Sequence, residues 1–304
     1  MNRLKFPRAL RPLDHVVFAV RDLDAAGAFY ERLGFTVGAR NRHPWGTENR
    51  IVQFNSSFIE LITICKDADI PPHAPGVFSF GAFIRDYLER VGEGFAMVAM
   101  RSANAEADRR MFEATGIGGF APFDFERIAR KPDGSEARVA FSLAFASNPK
   151  IRDAGFFTCQ HHEPQNFWNP DFQKHPNGSV GIMSVIMAAR RPSTLEPFMR
   201  AFCAVPMVRD IDEGFGIALP NGNLDVLTPD IFNGAFGVNG NLGGLAESPR
   251  FVGITVHAAP AVIAAGLKAA GIPFEIKGLR VVVPAREAFG VAIAFAPLAR
   301  PRAA

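Results

Sequence analysis

The chain has 304 residues, of which 48% are hydrophobic, and carries 33 Lys and Arg against 30 Asp and Glu. A net charge of +3 with no basic block argues against nucleic acid as a partner, and no apolar run is long and uninterrupted enough to span a bilayer. Three distant cysteines (Cys65, Cys159, Cys203) without CxxC spacing point to reduced thiols, and the N-terminus lacks a signal peptide's apolar core, so a cytoplasmic protein is expected.

Residues 1–12, with three Arg, a Lys and two Pro, read as an exposed arm. A first unit runs from Leu13 to Cys65. Its opening strand, 13–20, is apolar and β-branched around a single His15. A helix over 22–34 follows, with Asp22 as its cap and Gly34 in the left-handed position that ends helices. Strands over 35–40, 49–55 and 57–65 complete a βαβββ pattern.

After a Pro-rich segment and a helix from about Ser79, the pattern recurs. The second unit has a strand at 95–102, a helix at 105–116 and strands at 123–130, 137–146 and 155–160, with Asp133-Gly134 as a hairpin turn. The polar, Pro-punctuated stretch 161–179 reads as a connection. A third unit starts at 180, and a Gly/Asn-rich loop over 233–244 leads to a fourth from 251. Repetition of element order predicts an α+β fold of four βαβββ units paired into two incompletely closed barrels, one over 13–160 and one over 180–298. Barrels with open edges also suggest a possible homo-oligomer.

The stretches LDHVVFAVRDLDAAGAFYERLGF, HPWGTENRIV and FIELITI resemble the vicinal oxygen chelate superfamily, which embraces glyoxalases, bleomycin-resistance proteins and extradiol dioxygenases. The resemblance is nearest to the glyoxalase-like domain branch. It covers 13–160; the second half is similar only in architecture. It implies a divalent metal in the barrel cavity, held by residues of first and last strands.

His15 lies among apolar neighbours, where a lone His is more often a core residue than a ligand. Glu60, in the middle of FIELITI, changes that balance. An unpaired buried carboxylate costs several kcal/mol, so Glu60 needs a cation. First-strand His with last-strand Glu is the ligand pattern that the resemblance implies, with Glu60 also as catalytic base. A third ligand is expected from Gln160, His161 or His162. Alternation puts Thr158, Gln160 and His162 on one face, which favours Gln160 or His162. The ion would be Fe, Mn, Zn, Ni or Mg. In the HPWGTENR loop, Trp45 offers an apolar wall, and Asn49 and Arg50 offer donors to a substrate oxygen. A surface hairpin with a solvated Arg50 reads the same loop equally well.

These residues lead to a metal-dependent isomerase or lyase acting on a small substrate with vicinal oxygens. An extradiol-type ring-cleaving dioxygenase and a non-enzymatic small-molecule binding protein, its cavity lined by some of the 29 Phe, are the alternatives. Ring-cleaving enzymes of the superfamily often place their metal in the C-terminal pair of units. Here Ser184 and Asp225 occupy the slots of His15 and Glu60, leaving that half chemically thin.

Overall fold

The computed structural model describes residues 10–130, 135–237 and 248–298. The first nine residues of the expected arm and the turn at Asp133-Gly134 lie outside the described residues, as does 238–244 of the expected loop. In the first half, β1 (Leu13–Ala19), α1 (Leu23–Arg32), β2 (Asn41–Arg42), β3 (Thr47–Gln53) and β4 (Phe58–Ile64) form one unit. Helix α2 (Phe80–Arg90) leads to β5 (Gly94–Arg101), α3 (Ala105–Ala114), β6 (Phe123–Arg130), β7 (Glu136–Ala146) and β8 (Gly155–His161). A short helix, α4 (Pro164–Phe167), lies in the connection.

The second half repeats this with β9 (Gly181–Ala188), α5 (Glu196–Cys203), β10 (Arg209–Ile211), β11 (Gly214–Leu219), β12 (Gly222–Leu227) and α6 (Pro229–Phe236). It closes with β13 (Arg250–His257), α7 (Pro260–Ala269), β14 (Glu275–Lys277), β15 (Arg280–Val283) and β16 (Ala292–Ala296). Helix α6 occupies the start of the stretch expected as loop.

Each half carries one eight-stranded sheet, in the order β2-β3-β4-β1-β5-β8-β7-β6 and β10-β11-β12-β9-β13-β16-β15-β14. In both, the central first strands run antiparallel (β1 on β5, β9 on β13), and each pairs in parallel with the last strand of its own unit. This is the expected α+β architecture of paired units.

Local sequence sets the elements that position the cavity. Asp22 caps α1 by accepting from the amides of Asp24 and Ala25. Gly34 then takes φ +86°, where a β-carbon would be strained and would also lie 2.7 Å from Asn177 Cβ. The expected strand 35–40 does not form. Its Thr36 amide donates to His175 Nδ1 and its hydroxyl to the Lys174 carbonyl, so part of its bonding goes to the connection.

The two faces of the first sheet have different partners. Val16, Phe18, Ile59 and Leu61 pack against Ala26 and Tyr30 of α1, in a cluster that continues through Phe156 to Phe198 and Phe202 of the second half. Val17, Ala19 and Ile62 face inward, against Phe80, Ile84 and Tyr87 of α2. In the second half α6 inserts Phe232 and Phe236 among Ile186, Val252 and Ala294. Arg11 is buried rather than part of an exposed arm. It pairs with Asp108 on α3 and donates to the Phe202 carbonyl on α5 at 2.6 Å, tying the halves together.

His175 is held from both sides: Nδ1 accepts from Thr36 and Nε2 donates to the Gln53 carbonyl at 2.8 Å. That arrangement requires a neutral ring. Burial holds its pKa below the usual 6.5, although the bond to Gln53 pulls upward. Below pH 6.5 the unfolded chain therefore binds more protons than the folded one, and stability falls as pH falls. Urea midpoints are expected to drop between pH 7 and pH 5. His175→Gln should be less stable at pH 7 and show a smaller drop.

Candidate active site

A bulge in the first strand organises the site. In the pairing of β1 with β5, Leu13 faces Met100 while His15 faces Ala99, leaving Asp14 as the extra residue. Such a bulge re-aims the side chains around it. Leu13 joins the outer cluster with Val16, not the inner face expected from simple alternation. Asp14 becomes fully buried, with its carboxylate at a junction of three partners. His15 Nδ1 lies 2.8 Å from Oδ2, His161 Nε2 lies 3.1 Å from the same oxygen, and Arg101 Nε donates to Oδ1 at 3.1 Å. Burial alone would raise the Asp14 pKa. The charge of His161 and the bonds from both rings outweigh it and hold the carboxyl well below the usual range.

With Nδ1 tied to Asp14, His15 presents Nε2 to the inside of the barrel. Phe58 stacks on its ring at 4.2 Å between centroids, and Phe157 meets it edge-on. Glu60 follows from β4, whose register sets it beside Val17. Its Oε2 lies 3.8 Å from His15 Nε2. Its Oε1 accepts from the Asn49 amide and lies 3.8 Å from His43 Nε2. His43 Nδ1 is 2.8 Å from the Thr47 hydroxyl, and its ring stacks on Trp45. Burial pushes the His43 pKa down to about 4 against the attraction of Glu60, so the ring is neutral at pH 7.

These groups line a cavity of about 50 Å³ walled by Phe58, Phe80, Phe125, Phe141, Phe157 and Phe167, with Trp45 and Arg127 beside the polar cluster. That is room for several water-sized spheres, enough for an ion and a few ligand atoms.

The structure thus brings His15, Glu60, Trp45 and Asn49 together, and it separates three residues expected with them. Arg50 follows Asn49 on a strand, so the two must face opposite ways. Arg50 lies over Gly27 of α1, paired with Glu31 and donating to the Gly38 carbonyl. Gln160 accepts from the Ala105 amide at the start of α3, and exposed His162 sits 2.8 Å from the Ser142 hydroxyl. The inner side of β8 carries Phe157 and Cys159, with His161 beneath on Asp14. The expected alternation held, but GFFTCQH has apolar residues at both parities, so nothing local selects the inner set.

Asp14, His43, Arg127 and Phe167 were missed. Asp14 adjoins His15 and needs a bulge to reach the site, which alternation does not anticipate. His43 opens the HPWGTENR loop between β2 and β3, where no strand alternation assigns it a face. Phe167 comes from the connection, which doubles as a cavity wall.

Among the described residues, Asp14, Cys159 and His161 form a group with ligand atoms within 4.8 Å of one another. It does not suit an ion. The Asp14 carboxylate is already shared by two rings and Arg101, and burial raises the Cys159 thiol pKa well above its usual value. In the second half, Ser184 and Asp225 hold register places like those of His15 and Glu60. There Asp225 lies 3.4 Å from Arg209, and α6 fills the interior.

A curled sheet of two βαβββ units around a small cavity, with a His and a Glu from first and last strands, defines a glyoxalase-type barrel. Residues 13–202 match the sequence profile of the family described as glyoxalase-like domain. The chain belongs to that family, within the vicinal oxygen chelate superfamily. No curated protein matches the sequence. Among solved structures, a hypothetical protein from Staphylococcus aureus superposes with a TM-score of 0.67 at 16% identity, over 94% of this chain and 99% of that one. The Mn(II)-bound glyoxalase from Novosphingobium aromaticivorans gives 0.54 at 11% identity, over 94% and 82%. A 4-hydroxymandelate synthase variant from Streptomyces coelicolor gives 0.52 at 13%, over 87% and 76%. At these identities the likeness is one of fold. No helix among the described residues is long and apolar enough to cross a membrane.

Asp14→Ala leaves two imidazoles and Arg101 without their shared acceptor. It is expected to cost about 3 kcal/mol in chemical denaturation, the low end for breaking a buried charged network. His162→Ala should change stability by less than about 0.5 kcal/mol, as for surface sites. A large loss in the second variant would contradict the assignment of faces on β8.

Proposed function

We propose that this chain is a divalent-metal-dependent enzyme of the glyoxalase type, an isomerase or lyase for a small substrate with vicinal oxygens. The observation that carries the reading is the 3.8 Å separation of His15 Nε2 and Glu60 Oε2, with the other His15 nitrogen fixed by Asp14. A divalent ion held here would satisfy both groups at once. A carboxylate behind a ligating His is the usual way to set its tautomer and raise its basicity. His43, held neutral, faces the second Glu60 oxygen; its Nε2 lies 3.3 Å from the Asn49 amide nitrogen and would have to leave that contact to serve as the third donor. Two imidazoles and a carboxylate with open positions suit Fe(II) or Mn(II).

His15, His43 and Glu60 are the residues that would hold the ion, provided the two imidazoles close toward each other, because among the described residues only Asp14, Cys159 and His161 bring three such ligand atoms within 4.8 Å of one another. When bound, it supplies Lewis acidity toward two adjacent substrate oxygens. The chain's own groups do the rest. Asn49 fixes Glu60 Oε1, and Oε2, which faces His15, is the oxygen that would take or return a substrate proton when the ion does not engage it. The phenylalanine walls exclude water and strengthen every charge interaction within.

Elemental analysis of protein purified without added chelator is expected to find about one divalent transition ion per chain, in line with a single site. His15→Ala and Glu60→Gln should each lower that occupancy at least tenfold while the circular dichroism spectrum is retained, as loss of a ligand implies. Metal-free protein that also fails to take up Mn(II) or Fe(II) on dialysis would leave a non-metal binding protein as the better reading. Turnover of a catechol under Fe(II) would point instead to ring cleavage.

A further inference from the structure

We propose that the cavity seats a small organic carboxylate, with the Arg127 guanidinium as its anchor and the remaining atoms of the ligand turned toward His15, His43 and Glu60. The inference rests on that cavity being the functional site, and it adds the class of substrate.

Arg127 projects from β6 onto the cavity wall. Strand β6 is one edge of the curled sheet, and β2 is the other. Aromatic contacts bridge the two edges: Phe125 of β6 meets Trp45 and His43. Arg127 therefore reaches the polar cluster from the side opposite β3 and β4, and its charge is felt by both Glu60 and His43. Yet it forms no ion pair within 4.0 Å and no hydrogen bond among the described residues.

Arg127 is only half-buried, so water can reach its nitrogens while no described protein group holds them. It has five donors in a rigid plane, which an entering acceptor can take over from water. Other arginines near the site are committed. Arg101 serves Asp14 and the Ser56 carbonyl, and Arg50 serves Glu31 and the Gly38 carbonyl. Glu126, next to Arg127 in sequence, is committed too, to Arg138. Glu60 and Arg127 balance in charge across the cavity without touching, so the donors of Arg127 are kept for a group that enters.

The shape of the site narrows that group. A guanidinium fork matches a flat carboxylate by two parallel bonds. A cavity of about 50 Å³ between phenylalanine faces favours a planar anion with few heavy atoms over a bulky one. With the carboxylate on Arg127, the adjacent carbons and their oxygens face the cluster of His15, His43 and Glu60.

Calorimetric titration with three probes tests this: pyruvate, the uncharged hydroxyacetone of similar size, and inorganic phosphate. Each is run on chelator-stripped and Mn(II)-supplemented protein. Pyruvate is expected to bind at least tenfold more tightly than hydroxyacetone in both preparations, as for a hydrogen-bonded charge pair. Arg127→Gln should remove that advantage and leave hydroxyacetone unchanged, while Arg127→Lys keeps part of it. Circular dichroism checks folding, and the Lys variant carries the comparison if the Gln variant unfolds. Equal affinities for pyruvate and hydroxyacetone, or an undiminished pyruvate affinity in the Gln variant, overturn the proposal. So does the absence of pyruvate binding at millimolar concentration. Phosphate binding more tightly than pyruvate overturns the choice of carboxylate. Loss of the metal reading alone leaves the stripped-protein result intact, so the two failures can be told apart.

Discussion

The site depends on one buried carboxylate. Asp14 has no exposure to water, yet it stays ionised because two imidazoles and a guanidinium converge on it. Without it, His15 would be free to swap tautomers and rotate, and His161 would be a polar ring among Phe141, Phe167 and Trp168 with nothing to bind. A network of this kind is favourable only when its members are satisfied together, which makes its geometry stiff. That stiffness reaches the cavity through a single nitrogen, His15 Nε2.

The two halves show how one topology yields a site in one place and a filled core in the other. Both sheets have the same strand order, and His15 and Glu60 have register counterparts in Ser184 and Asp225. The difference lies in what enters the concave side. In the first half α2 covers part of it and leaves the polar cluster open; in the second, α6 drives Phe232 and Phe236 into it. With the interior occupied, an acid there needs only an arginine, and Asp225 has Arg209.

Much of the fold was legible because its signals are local. Asp22 and Gly34 bound a helix by capping chemistry that involves few other residues, and repetition of element order gave the pairing of units. Glu60 was legible for a different reason: a carboxylate inside an apolar strand demands a partner wherever the strand ends up. The failures share a cause. Which face of β8 looks inward depends on its pairing with β5 and β7, and its own residues are apolar on both sides. Asp14 needed a bulge, which is a relation between two strands. Arg127 needed the edge β6 to curl round until it faced β3.

The connection between the halves has a further consequence. Residues 161–179 carry Phe167, which lines the cavity, and Asn177, which closes the end of α1 by donating to the Leu33 carbonyl. Gln53 bonds this same stretch at Phe167 and at Asn169. The wall of the cavity and the tether between the sheets are therefore one piece of chain. Occupancy of the cavity and the tightness of the tether are linked quantities. A ligand that packs on Phe167 would stabilise this arrangement of the connection, and slower amide exchange over 164–168 would report the filling of the cavity from outside it.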